Sequence, residues 1–192
     1  MIKLKLIYTM ACTSVTLNNI NAKCDTAVGG IKKILIANQN DVAEIVVDKT
    51  TGVITTITME SGKYFAQWLF RKNTANYSTS MTSDPAIGNT FITTDLNIQF
   101  TKAEATKRLE IQSAINAAAV IIIELQDKDD KDNNSYVLLG YDNEVTVTSV
   151  NQQSGTAMSD LNGYTLTFQD TSVELPHFVE PTIISTLLKA NA

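Results

Sequence analysis

The chain has 192 residues, 44% of them hydrophobic and 18% charged, the balance of one globular domain able to bury most of its apolar surface. Its 15 Lys plus Arg against 20 Asp plus Glu leave a formal charge of -5 with no basic block of the kind that grips phosphates, which argues against specific nucleic-acid binding. Cys12 and Cys24 are too few for a disulfide scaffold or a Cys-based zinc module, and no run of about 18 apolar residues is present to form an ordinary membrane-spanning helix.

The opening "MIKLKLIYTMAC" places two lysines and several apolar residues before Cys12, the outline of a bacterial lipoprotein signal. Lys5 interrupts its apolar segment, and Thr9-Met10-Ala11 lacks the aliphatic residue such signals place first, so residues 1–28 read instead as an N-terminal arm, or as a chain starting at Met10. Strand patterns follow at once: "IKKILIA" (31–37), "AEIVVD" (43–48) and "GVITTITM" (52–59), separated by the turn-forming "NQND" and "KTTG". With "KYFAQWLFRK" (63–72) they predict a four-stranded meander that carries Ile34, Ile36, Ile45, Val47, Ile54, Ile57, Phe65 and Leu69 toward a core.

Residues 70–100 come next, "FRKNTANYSTSMTSDPAIGNTFITTDLNIQF". Both "YSTSMT" and "TFITTDLNIQF" alternate as strands do, with "SDPAIGN" as the turn, which predicts a long projecting hairpin whose faces are Ser, Thr and Asn. Such a hairpin is marginal by itself, so completion by other chains is expected. After it, Thr101 and Glu104 have the spacing of a capping box and predict a helix over about 102–117. Ile111, Ala114, Ile115 and Ala118 share one face of that helix and Ala105 and Leu109 another, so it is expected to touch two surfaces.

"VIIIEL" (120–125) reads as a buried strand paired with "YVLLGY" (136–141) across a polar tip, and "NEVTVTSV" and "GYTLTFQD" add two more strands. The tail from residue 174 to 192 reads as a C-terminal arm or short strand in need of a neighbour. No linker, composition break or internal repeat divides residues 1–192, so one mainly β domain is expected: an antiparallel β-sandwich or partial barrel with one flanking helix.

A search for chemistry returns little. His177, the sole histidine, sits in "ELPHFVEP" without the G-x-S-x-G turn that would support a serine nucleophile. The acidic tip "DKDDKDNNSYVL" begins like an EF-hand loop, but Lys131 takes a ligand position, Asp132 replaces the turn glycine and Leu138 stands where the bidentate glutamate belongs. Gly29-Gly30 precede a strand, whereas phosphate-cradling loops follow one and open a helix. Asn76-Tyr77-Ser78 and Asn133-Asn134-Ser135 match the glycosylation triplet, a frequent coincidence in a chain so rich in Asn, Ser and Thr. The reading is of a protein that is not an enzyme and uses no cofactor or metal.

The order of "CDTAVGGIKKILIANQNDV", the long polar hairpin, the helix "TKAEATKRLEIQ" and the late "NGYTLTFQDTSVELPHFV" resembles the tail tube (major tail) proteins of long-tailed bacteriophages. The resemblance implies a virion structural protein, assembled in the host bacterial cytoplasm, whose hexameric rings join their sheets into an inner barrel and stack into a conduit for the genome. Its implied partners are other copies of itself, other tail or connector proteins and DNA passing without specific binding. On this reading the contact elements are residues 73–90, the two arms and, by position, Asn76, Tyr77, Met81, Asp84, Pro85, Ile87, Phe91, Leu109, Ile115, His177 and Phe178. The alternatives are a head-to-tail connector ring or capsid-decorating protein of the same fold, and a surface lipoprotein or adhesin-like domain anchored at Cys12.

Overall fold

The computed structural model describes residues 18–20, 27–84, 86, 88–129 and 133–188. Cys12, Cys24, Pro85, Ile87, most of the expected N-terminal arm and the last four residues therefore lie outside the described residues. Eleven strands are described: β1 (Ile31–Asn38), β2 (Val42–Val47), β3 (Ile54–Met59), β4 (Ala66–Leu69), β5 (Ala75–Asp84), β6 (Asn89–Thr101), β7 (Ala119–Lys128), β8 (Asn134–Leu139), β9 (Thr146–Gln153), β10 (Gly163–Ser172) and β11 (His177–Val179). Helix α1 (Ala105–Ile115) connects β6 to β7, and a short helix α2 (Ile184–Leu187) follows β11. The strands form a seven-stranded sheet, ordered β2-β3-β11-β8-β7-β1-β4, and a four-stranded sheet, ordered β5-β6-β10-β9. The class is as expected, a mainly β sandwich flanked by one helix.

The expected meander is corrected. Only β2 and β3 pair as a local hairpin, whereas β1 lies between β4 and β7, with Ile34 opposite Trp68 on one side and Ile123 on the other. The reason lies in composition: β1, β7 and β8 contain continuous buried runs, "ILIA", "AVIII" and "YVLL", and a strand buried on both faces belongs in the middle of a sheet. Ile34 and Ile36 enter the core between the sheets together with Ile121, Ile123, Leu96, Ile98, Phe100, Leu166 and Phe168. Leu35 and Ala37 point the other way into a second core with Ile54, Ile57, Phe65, Val120, Ile122, Leu138, Val179, Ile184 and Leu187. Leu69, expected near a core, is 65% exposed, because Ala66–Leu69 is an edge strand whose alternation turns Trp68 inward instead.

Of the two readings of the tail, the short strand is the one found: β11 has its neighbours within the fold's own sheet, between β3 and β8, and Ile184 and Leu187 close the second core. Phe65 donates its N–H to the Leu187 carbonyl at 3.0 Å and bridges to Leu188, so the C-terminal segment reaches the residue just before β4. The capping box does not form. Thr101 is still the β6 partner of Gly163, Glu104 occupies the N-cap without a side-chain cap, and its carboxylate pairs with Lys102 at 2.7 Å and Lys107 at 3.5 Å. The Lys107 ammonium instead donates to the carbonyl of Thr101 at 2.9 Å and to that of Lys102 at 3.2 Å, tying the helix start to the strand end. Ile111 and Ala114 bury one face of α1, while Leu109 and Ile115 remain outside.

Candidate assembly surface

The four-stranded sheet contains the segment that the sequence marked as a projecting hairpin. β5 pairs with β6 from Ala75 opposite Ile98 to Asp84 opposite Asn89, and β6 pairs with β10 from Ile92 to Thr101. Only residues 82–84 and 89–91 run past that second pairing, so the hairpin projects less than its length suggested. The physical reason is the alternation of Ile92, Leu96, Ile98 and Phe100, which makes β6 a core strand and leaves the polar positions for its other face.

That other face is built of uncharged polar side chains. Register places Asn76 beside Asn97, Ser78 beside Asp95 and Ser80 beside Thr93, then Thr165, Thr167, Gln169 and Thr171 on β10, with Ser149 and Asn151 on β9. The side chains bond across the strands: the Thr167 hydroxyl donates to Asn97 Oδ1 at 2.8 Å, and Gln169 Nε2 donates to Asp95 Oδ1 at 2.8 Å. None of the four strands contains Lys, Arg or His, and the ionisable groups on the face are Asp95 and, where the hairpin runs past β10, Asp84. Hydroxyl pairs continue on the opposite side of the hairpin, Thr79 with Thr94 at 2.9 Å and Ser83 with Thr90 at 3.0 Å.

Among the described residues, both outer strands of this sheet, β5 and β9, pair on one side only. Along β5 only Ala75 is buried, and along β9 no residue is, so two edges of ten and eight residues are open to another strand. The open edge of β9 is a feature that the sequence reading missed; its signal was alternation with almost nothing apolar to bury.

The expected contact residues separate into three places. Asn76, Tyr77, Met81, Asp84 and Phe91 lie on the hairpin: Met81 is 67% exposed and Phe91 39%, while Tyr77 rests against the core between the sheets. Leu109 and Ile115 are exposed on α1, apart from the hairpin. His177 and Phe178 belong to the seven-stranded sheet. Phe178 is exposed, but both ring nitrogens of His177 are engaged within the chain, with the Gly52 carbonyl at 2.9 Å and the Glu174 carboxylate at 3.1 Å, and its ring meets the edge of Tyr141.

One buried carboxyl stands at the end of this sheet. Asp170, 4% exposed, accepts a hydrogen bond from the Gly140 N–H at 3.2 Å, and its other oxygen has no partner among the described residues. Burial pushes its pKa up, the Gly140 hydrogen bond works against that, and the charge of Asp142 adds to the rise. Gly140 has φ +90, and a Cβ there would press on the Ala119 carbonyl at 2.9 Å, so the turn from β8 to β9 is held close to β7. In the turn from β9 to β10, Asp160 accepts from the N–H groups of Thr156 and Ala157 and from the Thr156 hydroxyl, bonds that lower its pKa. Among the described residues no group of three or more His, Cys, Asp or Glu is placed to hold a metal ion, and no helix is long and apolar enough to cross a membrane.

No protein-family model matches the chain, and no curated protein does. Among solved structures, a chain described as "Virion of native gene transfer agent (GTA) particle" aligns over 75% of this chain and 99% of its own length, at 11% identity and a TM-score of 0.34. A superposition at that score decides nothing about fold or function.

Proposed function

We propose that this protein is a structural subunit of a phage virion, and that its role there is the tail tube: copies join side by side into rings, and the rings stack into a conduit for DNA. The observation that carries the reading is the four-stranded sheet with both edges open. β5 of one copy and β9 of the next supply complementary unpaired backbone groups, and repeating that contact around an axis closes a continuous barrel of strands. The outward face of the same sheet then becomes the lumen. A lining of Ser, Thr, Asn and Gln with Asp95 and Asp84 and no cation gives phosphates nothing to bind, so DNA slides past it rather than sticking. The sequence resemblance to tail tube proteins points to the same arrangement.

Negative-stain microscopy of the purified protein, with light scattering for mass, tests this reading. The expected result is rings with a central channel, or tubes made of them. A protein that stays monomeric at every attainable concentration, with β5 protected from protease in that state, would remove the proposal. Rings that never stack, even beside the other tail components, would favour the connector position instead.

A further inference from the structure

The two ends of the four-stranded sheet differ in charge. At one end lie the entry to β5, the exit from β6 with the start of α1, and the turn from β9 to β10. These segments carry Arg71, Lys72, Lys102, Lys107 and Arg108, and their carboxylates are engaged within the chain: Glu104 by Lys102 and Lys107, and Asp160 by Thr156 and Ala157. Arg71, Lys72 and Arg108 are exposed and form no ion pair among the described residues. At the other end lie the tip of the hairpin, the turn from β8 to β9 and the exit from β10. These carry Asp84, Asp142, Glu144 and Glu174 and no Lys or Arg.

Both ends are held in place. The Thr74 hydroxyl donates to the Arg71 carbonyl at 2.6 Å, and Gln99 donates its N–H to the Thr74 carbonyl, which fixes the Arg71-Lys72 turn against β6. At the acidic end Asp84 accepts from the Ala86 N–H at 2.9 Å, and Asn143 Nδ2 donates to the Thr171 carbonyl at 2.7 Å, which fixes the turn bearing Asp142 and Glu144 against β10. Of the other charges, Asp127 lies in β7 and accepts from the Val28 N–H at 3.3 Å, Lys49 lies in the turn from β2 to β3, and Glu110 is exposed on α1 beyond Arg108.

We infer that copies of this chain stack end to end along the strands of the four-stranded sheet, the Arg71/Lys72/Arg108 end of one against the Asp84/Asp142/Glu144 end of the next. The inference rests on the reading of the protein as a self-assembling subunit and names the surface by which one ring meets another. A two-fold contact would set like charges against each other at either end, whereas a head-to-tail contact pairs opposite charges and, because it does not close, repeats without limit. The exposed partners make the contact sensitive to salt.

Charge reversal tests it. Arg71→Glu with Lys72→Glu makes both ends acidic, Asp84→Lys with Glu144→Lys leaves the other end with two lysines against Asp142 and Glu174 and so without net charge, and the four substitutions together set opposite signs against each other at the swapped positions. All four residues are exposed, and far-ultraviolet circular dichroism checks that each variant is folded. Each two-residue variant is expected to form rings but to raise the protein concentration needed for stacking about tenfold or more, the combined loss of a few exposed ion pairs. The four-residue variant is expected to stack again near the wild-type concentration. Wild-type stacking should also weaken as salt rises. Unchanged stacking by the two-residue variants, or a folded four-residue variant that does not regain it, overturns the inference while leaving the ring reading intact. If the wild type forms neither rings nor stacks, the proposed function itself has failed and this contact falls with it.

Discussion

Phe168→Ala is the sharpest test of how the two sheets are held together. Phe168 is fully buried between them, and its ring meets Trp68 of the opposite sheet edge-on, with centroids 6.2 Å apart. Removing a fully enclosed phenylalanine costs about 3–5 kcal/mol from lost burial and the cavity left behind. An aromatic contact of this geometry adds about 0.5–1.5 kcal/mol beyond area, which puts the expectation in the upper half of that range. With a urea dependence near the top of the usual interval, about 2.5 kcal/mol per molar, the midpoint should fall by about 1.6–2.0 M. Trp68 is the one tryptophan in the chain, so its fluorescence reports this interface directly during a urea titration of the dilute monomer. Phe178→Ala is the control: that ring is 54% exposed, and its removal should move the midpoint by less than about 0.3 M. A shift below about 0.5 M for Phe168→Ala, with the slope unchanged, would refute the claim that this ring joins the sheets.

Other substitutions probe other parts of the fold. Gly163→Ala would drive a Cβ into the Phe100 carbonyl and force β10 away from β6; a loss of about 2 kcal/mol or more is expected, seen as a fall in Tm of about 4–8 °C. Leu187→Ala should cost about 2–4 kcal/mol by denaturant titration, because Leu187 is 2% exposed in the second core; no loss would mean that the C-terminal segment is a dispensable arm. Asp170 gives a pH dependence whose sign follows from its raised pKa. The stability associated with its protonated form is complete below the unfolded value and is lost as pH rises through the folded one. Asp170→Asn should therefore be more stable than wild type near pH 7 and show little gain near pH 3, by thermal unfolding at both; a gain at pH 3 as large as at pH 7, or a loss at pH 7, would contradict the cause assigned to the shift.

Local features of the fold were legible and long-range pairing was not. The hairpins β2–β3 and β5–β6 follow from strand patterns joined by turn residues and β7–β8 from two apolar runs flanking a polar tip, whereas β9 and β10 were legible as strands but not as partners. The meander failed because turn spacing says that a chain reverses, not that the reversed strand becomes a neighbour. "NQND" between β1 and β2 ends one strand, starts another and leaves them in separate parts of the same sheet. The correct signal was present in Ile34, Leu35, Ile36 and Ala37: four consecutive buried residues need partners on both faces, which one meander cannot supply. The capping box failed for a related reason, since Thr101 could serve either β6 or α1 and its pairing with Gly163 prevailed. On the candidate surface, the hairpin was visible as an anomaly in the sequence, but the edge of β9 and the charge difference between the sheet's ends exist only once strands distant in the chain lie side by side.

The central claim, that open-edged four-stranded sheets join around a channel, is most directly tested by a cryo-electron microscopy reconstruction of the assembled protein at a resolution that separates strands. The account predicts β5 of each subunit alongside β9 of its neighbour, with Asp95, Asn97, Thr167 and Gln169 facing the lumen. Subunits joined through the seven-stranded sheet, or an assembly with that polar face turned outward to solvent, would contradict it.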